Sequence, residues 1–186
     1  MRKILTLFII LFVGVICSAC VNTFAVHELN QMALDYINKG EIDKAISRLE
    51  ASIDLDSEIF DTRYNLALAY LKKEECSKAQ KEIDYAKNLN KNNEPEVYYT
   101  SGVINNCLAE KIMYNVDENG EKIEIIFDTP EQRAEKLNEY VNLLVKSNDD
   151  LTKYLELANL VDDSEEIKNL INLNNSKIEE STKSIQ

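Results

Sequence analysis

The sequence predicts an all-α fold: a right-handed helical solenoid with an inserted β-hairpin and a C-terminal helical hairpin cap. Three observations carry this reading. The chain repeats itself at a spacing of 34 residues. Within each copy, apolar residues recur at helical spacing. Between residues 111 and 127 the apolar period drops to that of a strand.

Laying residues 26–59 over 60–93 makes eight positions identical: Ala33/Ala67, Leu34/Leu68, Tyr36/Tyr70, Lys39/Lys73, Glu41/Glu75, Lys44/Lys78, Ala45/Ala79 and Leu55/Leu89. Each copy reads as two amphipathic helices. Leu29, Met32, Ala33, Tyr36 and Ile37 share one face of the first, and Ile42, Ala45, Ile46, Leu49 and Ile53 one face of the second. Gly40 stands between them, where a helix end favours a residue tolerant of positive φ. The alanines let helices approach closely, and Tyr36 and Tyr70 fill the space left over. One copy cannot bury its own apolar face, so neighbours must stack. A third, degenerate copy starts near Pro95, one residue late. Tyr98, Gly102 and Val103 mark its first helix, residues 94–109, and its second helix does not follow directly.

This pattern, a small residue and a Tyr in the first helix and an Ala in the second, resembles the tetratricopeptide repeat (TPR) family over residues 26–110. The other reading of the matches is an ordinary helical bundle. The resemblance implies a concave groove lined by the first helices of successive repeats, taking an extended peptide or a helix of a protein partner. The matching positions are Asn30, Leu34, Ile37, Tyr64, Asn65, Leu68, Lys72, Tyr99 and Val103. Asn65 resembles the groove Asn that holds a peptide backbone in other members. The variant that clamps a terminal carboxylate needs Lys/Arg and Asn at set places, which here carry Asn30, Leu34, Glu96 and Thr100. A chaperone-tail receptor is therefore not expected.

In the inserted segment, Asn119-Gly120 is the favoured two-residue hairpin turn. It sets Asp117 opposite Lys122, Val116 opposite Ile123, Tyr114 opposite Ile125 and Ile112 opposite Phe127. The apolar face so formed is expected to dock on neighbouring helices, because an isolated hairpin is marginal in water. The insert is either padding or an element that contacts the partner. Beyond it, Thr129-Pro130-Glu131-Gln132 is a helix start with a cap, a Pro at the first position and a capping-box residue. Leu137, Val141, Leu144, Asn148, Leu151, Leu155 and Ala158 then predict one long helix, about residues 130–160, with a coiled-coil-like seam. Residues 162–166 give a second start signal for a final helix carrying Ile167, Ile171, Asn174 and Ile178. This last helix either caps the solenoid or dimerises, and Asn148 and Asn174 favour the intramolecular cap.

The N-terminus reads as an export signal. Arg2 and Lys3 precede an apolar run, residues 4–16. The following Cys17-Ser18-Ala19-Cys20 resembles the bacterial lipobox, with Cys17 standing where an aliphatic residue is usual. The resemblance implies that Cys20 is lipidated and becomes the mature N-terminus, placing the protein in the cell envelope on a membrane anchor. Cleavage after Ala19 or Ala25, or retention of the longer run of residues 4–21 as a membrane anchor, are the other outcomes. The expected organisation is a signal peptide over 1–19, a short tether over 20–25, the solenoid with its insert over 26–160 and a capping helix over 161–186.

Removing residues 1–19 leaves 19 basic against 33 acidic residues, a net charge of −14. That balance opposes nucleic acid, which is bound through Lys and Arg. With Cys20 set aside as the lipidation site, Cys76 and Cys107 remain, as a disulfide between adjacent repeats or as two buried thiols. The only His is His27, and there is no Gly-rich phosphate loop and no CxxC beyond Cys17-Ser18-Ala19-Cys20, which the expected cleavage before Cys20 divides. No catalytic constellation, cofactor site or metal site is expected. Two function classes stand: a lipid-anchored interaction scaffold in assembly or secretion machinery, or a structural, self-associating surface protein. A soluble exported form of the same module is a variant of the first.

Overall fold

The computed structural model describes residues 23–117, 121–159 and 164–185. The expected signal peptide and Cys20 lie outside them, as do the hairpin tip and the start signal at 162–163. Helix α1 occupies residues 23–38. It is followed by α2 (Ile42–Leu55), α3 (Phe60–Lys72), α4 (Cys76–Leu89) and α5 (Glu96–Met113). Strands β1 (Tyr114–Val116) and β2 (Lys122–Glu124) come next, then α6 (Pro130–Ala158) and α7 (Ser164–Ile185). The molecule is an all-α, TPR-type solenoid with a small antiparallel hairpin.

The turn inside each repeat is built the same way twice. The Gly40 N–H donates to Ile37 O and the Glu41 N–H to Tyr36 O, at 3.1 and 2.9 Å. In the second repeat the Glu74 N–H donates to Leu71 O and the Glu75 N–H to Tyr70 O, both at 2.9 Å. These pairs satisfy carbonyls orphaned at the helix end and need a left-handed residue to make the bend. Gly40 supplies it at φ 75°, whereas its counterpart Glu74 is held at φ 57°. For Glu74 the conformation is strained, because its Cβ crowds the following carbonyl.

Close approach of helices explains the small residues. Ala33, Ala45, Ala67, Ala79 and Ala86 are wholly buried, and Leu49, Leu66 and Ile83 pack among them. The core continues into the third repeat through Val97 and Ile104. There α5 and α6 run antiparallel, as the contacts Tyr99–Tyr154, Ser101–Asp150 and Asn106–Ser147 show. Gly102 is the third copy of the Ala33/Ala67 position. A Cβ there would lie 2.8 Å from Leu151 Cγ and 3.2 Å from the Ser147 carbonyl. Helix α6 is thus the second helix of the third repeat, displaced along the chain by the hairpin.

Two sequence expectations are corrected. The hairpin pairs Val116 with Lys122, Asn115 with Ile123 and Tyr114 with Glu124, one residue off the expected register. The Asp117 N–H donates to Glu121 O at 2.9 Å, and Asp117 Oδ1 accepts from the Glu121 N–H at 2.8 Å. This side-chain closure at Asp117 leaves three residues in the connection instead of two. The apolar face does not dock: Tyr114, Val116 and Ile123 are exposed, and only Ile112 and Phe127 at the base reach the core. Strand character also starts later than expected, because α5 runs on to Met113.

The seam of α6 is the second correction. Its buried residues are Leu137, Tyr140, Leu144, Ser147, Leu151 and Tyr154, so every second member falls one residue before the expected one. The reason is that α6 has two partners. The expected Val141, Asn148 and Leu155 lie on its flank, while the central line faces α5. Helix α7 folds back on α6 with Ile167, Asn174 and Ser181 buried. Asn174 Nδ2 donates to Asn148 Oδ1 at 2.9 Å, and Asn148 Nδ2 donates to Asn175 Oδ1 at 2.9 Å. The two asparagines therefore pair with one another and fix the register of the helices. At the start of α6, the Thr129 hydroxyl accepts from the Gln132 N–H at 3.2 Å, with Pro130 in the first turn.

Two stability outcomes follow from this packing. Glu74→Gly relieves the left-handed strain and raises stability by about 0.5–1 kcal/mol, after the entropic cost of a glycine. Gly102→Val drives a branched side chain into Leu151 and lowers it by about 2–3 kcal/mol or more, with part of the loss recovered in the Gly102→Val/Leu151→Ala pair. Urea denaturation of the purified domain reads both.

Candidate functional site on the concave face

The first helices α1, α3 and α5 line one face of the solenoid. At its α1–α3 end is a cavity of about 900 Å³. Its walls are Asn30, Leu34 and His27 from α1, Phe60, Tyr64 and Asn65 from α3, and the loop entering α5. At the other end is a cavity of about 500 Å³ between Leu71, Val103, Asn106 and Cys107, with Tyr114, Val116 and Lys122 of the hairpin as its outer wall. The structure therefore brings together Asn30, Leu34, Tyr64 and Asn65, and puts Val103 in the second cavity. Ile37 is partly buried against the core, Leu68 lies half-buried between the cavities, and Lys72 and Tyr99 are exposed; none of these four lines either cavity.

The named residues do different work. Asn30 is a knot between repeats: its Nδ2 reaches Val26 O at 2.9 Å, Thr62 Oγ1 at 2.8 Å and Ser52 Oγ at 3.1 Å. Its Oδ1 is enclosed and has no partner. Tyr64 stacks on Phe60, ring centroids 5.8 Å apart, and its hydroxyl lies 3.3 Å from Thr100 Oγ1. Burial holds that hydroxyl above the ordinary phenol range, and the Thr100 contact partly offsets it. Tyr99 is 40% exposed and leans on Tyr154 at 5.4 Å. Cys76 and Cys107 are joined as a disulfide, Cα atoms 6.1 Å apart, tying the start of α4 to α5 beside the hairpin cavity.

The rim of the larger cavity carries Glu58, Asp61, Glu94 and Glu96 against a single Lys91. None of these carboxylates takes part in an ion pair with another described residue. Sequence reasoning singled out Glu96 only as a departure from the clamp and did not single out Glu58, Asp61 or Glu94. His27, Asp61 and Glu96 occupy the second place of successive repeats, so the repeat offset itself would have found them. The hairpin wall was hidden because its register was misplaced. Among the described residues, no group of three or more His, Cys, Asp or Glu is placed to hold a metal ion, and no helix is long and apolar enough to cross a membrane.

The two tyrosines separate in a mutational test. Tyr64→Ala removes a stacked, half-buried ring and costs about 3 kcal/mol. Tyr99→Ala gives up an exposed aromatic contact and costs about 1 kcal/mol. Chemical denaturation checks the order; equal losses would show that Tyr99 is also a packing residue.

No family model and no curated protein matches the chain. Solved structures do. The first TPR domain of human RPAP3 superposes with a TM-score of 0.58 at 18% identity, over 86% of this chain and 96% of that one. The first TPR of Spaghetti (RPAP3), bound to the HSP90 peptide SRMEEVD, gives 0.54 at 16% identity, over 78% and 89%. The Yersinia enterocolitica type III secretion translocator chaperone SycD, in an alternative dimer, gives 0.52 at 14% identity, over 82% and 92%. At these identities the likeness is one of fold: the chain has the architecture of a TPR domain.

Proposed function

We propose that the protein is an exported, lipid-anchored adaptor, not an enzyme, whose concave face holds a linear segment of a protein partner in the cell envelope. The observation that carries this is the open face between α1, α3 and α5, with a cavity at each end and mixed apolar and polar walls. Such a surface suits a peptide or helix better than a small metabolite. The Spaghetti domain of the same fold is solved with a bound peptide. The anchor rests on the apolar run followed by Ser18-Ala19-Cys20. Assembly or secretion machinery is the setting in which a tethered adaptor of this kind acts. A second reading, self-association, draws on the exposed apolar side chains Tyr114, Val116, Ile123 and Ile126 of the hairpin region.

Two measurements test this. Mass spectrometry of the mature N-terminus is expected to find Cys20 acylated; an unmodified Val26 or an intact Met1 overturns the anchor. A photocrosslinker at Leu34 or Leu68, used in intact cells, is expected to give a stoichiometric adduct mapping to one short segment of a different protein. Adducts made only between copies of this chain overturn the adaptor and favour self-association.

A further inference from the structure

The two cavities differ in chemistry, and the concave face joins them. Tyr64, Leu68 and Leu71 succeed one another on α3 at intervals of four and three, which keeps them on one helix face. One end has the unpaired carboxylates Asp61 and Glu96 beside the Phe60 and Tyr64 rings. The other is lined by Leu71 and Val103, with Tyr114 and Val116 of the hairpin over it. There the charges balance: Lys122 is paired to Glu110 at 2.6 Å, and the other two charged side chains, Glu74 and Lys111, are opposite in sign. From Asp61 to Leu71 the helix rises roughly 15 Å, at about 1.5 Å per residue. An extended chain covers that in about five residues, at about 3.3 Å each.

We propose that the groove selects a bipartite extended segment: Lys or Arg residues at the Asp61/Glu96 end and, about five residues away, a large apolar side chain under the hairpin. This rests on the peptide-groove reading above and gives that peptide its chemistry. Charge complementarity decides the first half, since an acidic tail such as SRMEEVD would meet four carboxylates and one lysine here. The hairpin decides the second half. Its exposed apolar side chains face a cavity that the helices alone leave open, and a seated apolar residue would remove both surfaces from water.

Fluorescence anisotropy with synthetic ten-residue peptides tests it on the full mature domain. The probes carry three lysines at one end and Leu-Phe at the other; controls replace the lysines with serine or glutamate, or the Leu-Phe with serines. The lysine probe is expected to bind about tenfold more tightly than its serine analogue. That advantage shrinks as salt rises. It is lost in Asp61→Asn/Glu96→Gln, two exposed sites whose change leaves thermal unfolding within a few degrees. Val116→Ser is expected to weaken only the Leu-Phe probes. Equal binding of lysine and glutamate probes, or failure of every probe to bind, overturns the bipartite rule. The adaptor reading is judged separately, because the cellular crosslink from Leu34 does not depend on these peptides. Because the peptide charges are varied as well as the protein's, a variant that fails to fold does not remove the test.

Discussion

Everything in this molecule depends on how closely successive helices approach. Ala33, Ala67 and Gly102 occupy one repeated position in the first helix of each repeat. The two alanines are wholly buried, and Gly102 sits against Leu151 with no room for a Cβ. A larger side chain there would prise apart the helix pair and, with it, the curved face the pairs create. Because each repeat buries its apolar face only against its neighbours, the spacing at these positions sets both stability and the shape of the groove.

Polar contacts finish what the small residues begin. Asn30 joins Ser52 and Thr62 between the first two repeats. Arg63 bridges Glu82 at 2.6 Å and lies over the Tyr85 ring, tying α3 to α4. Asp150 of α6 accepts from Ser101 at 2.7 Å and from Asn105 at 3.2 Å, and is paired with Lys87 of α4. A half-buried carboxylate with three partners on two other helices is satisfied in only one arrangement. It therefore specifies where α6 docks after the hairpin has interrupted the repeat.

The parts of the fold legible in the sequence are those governed by local periodicity. The repeat, its turns and the start of α6 at Thr129 follow from spacing and capping chemistry that need no knowledge of neighbours. The hairpin register was not legible, because the Asn119-Gly120 signal competes with the closure made by the Asp117 carboxylate, and nothing in the strands' own pattern arbitrates. The α6 seam was half legible. A helix with one partner shows one stripe, whereas α6 serves α5 and α7 together, and Ser147 and Tyr154 are buried for reasons that lie on other helices. Of the concave face, Leu34, Tyr64, Asn65 and Val103 were legible from repeat positions. That Asn30 is consumed by packing, and that carboxylates crowd one rim, emerges only once loop and helices are set side by side.

The link between Cys76 and Cys107 has a mechanical meaning. A stacked solenoid is quasi-one-dimensional, so tension applied between its ends can peel repeats away one after another. The cross-link closes a loop of sequence separation 31 that spans the whole of α4 and the first two-thirds of α5. While it is closed, that stretch cannot be drawn out, and roughly 100 Å of chain is withheld from extension at the usual span per residue. Helices α4 and α5 consequently behave under load as one staple-bound pair, and α1, α2 and α3 are the section free to yield on the N-terminal side.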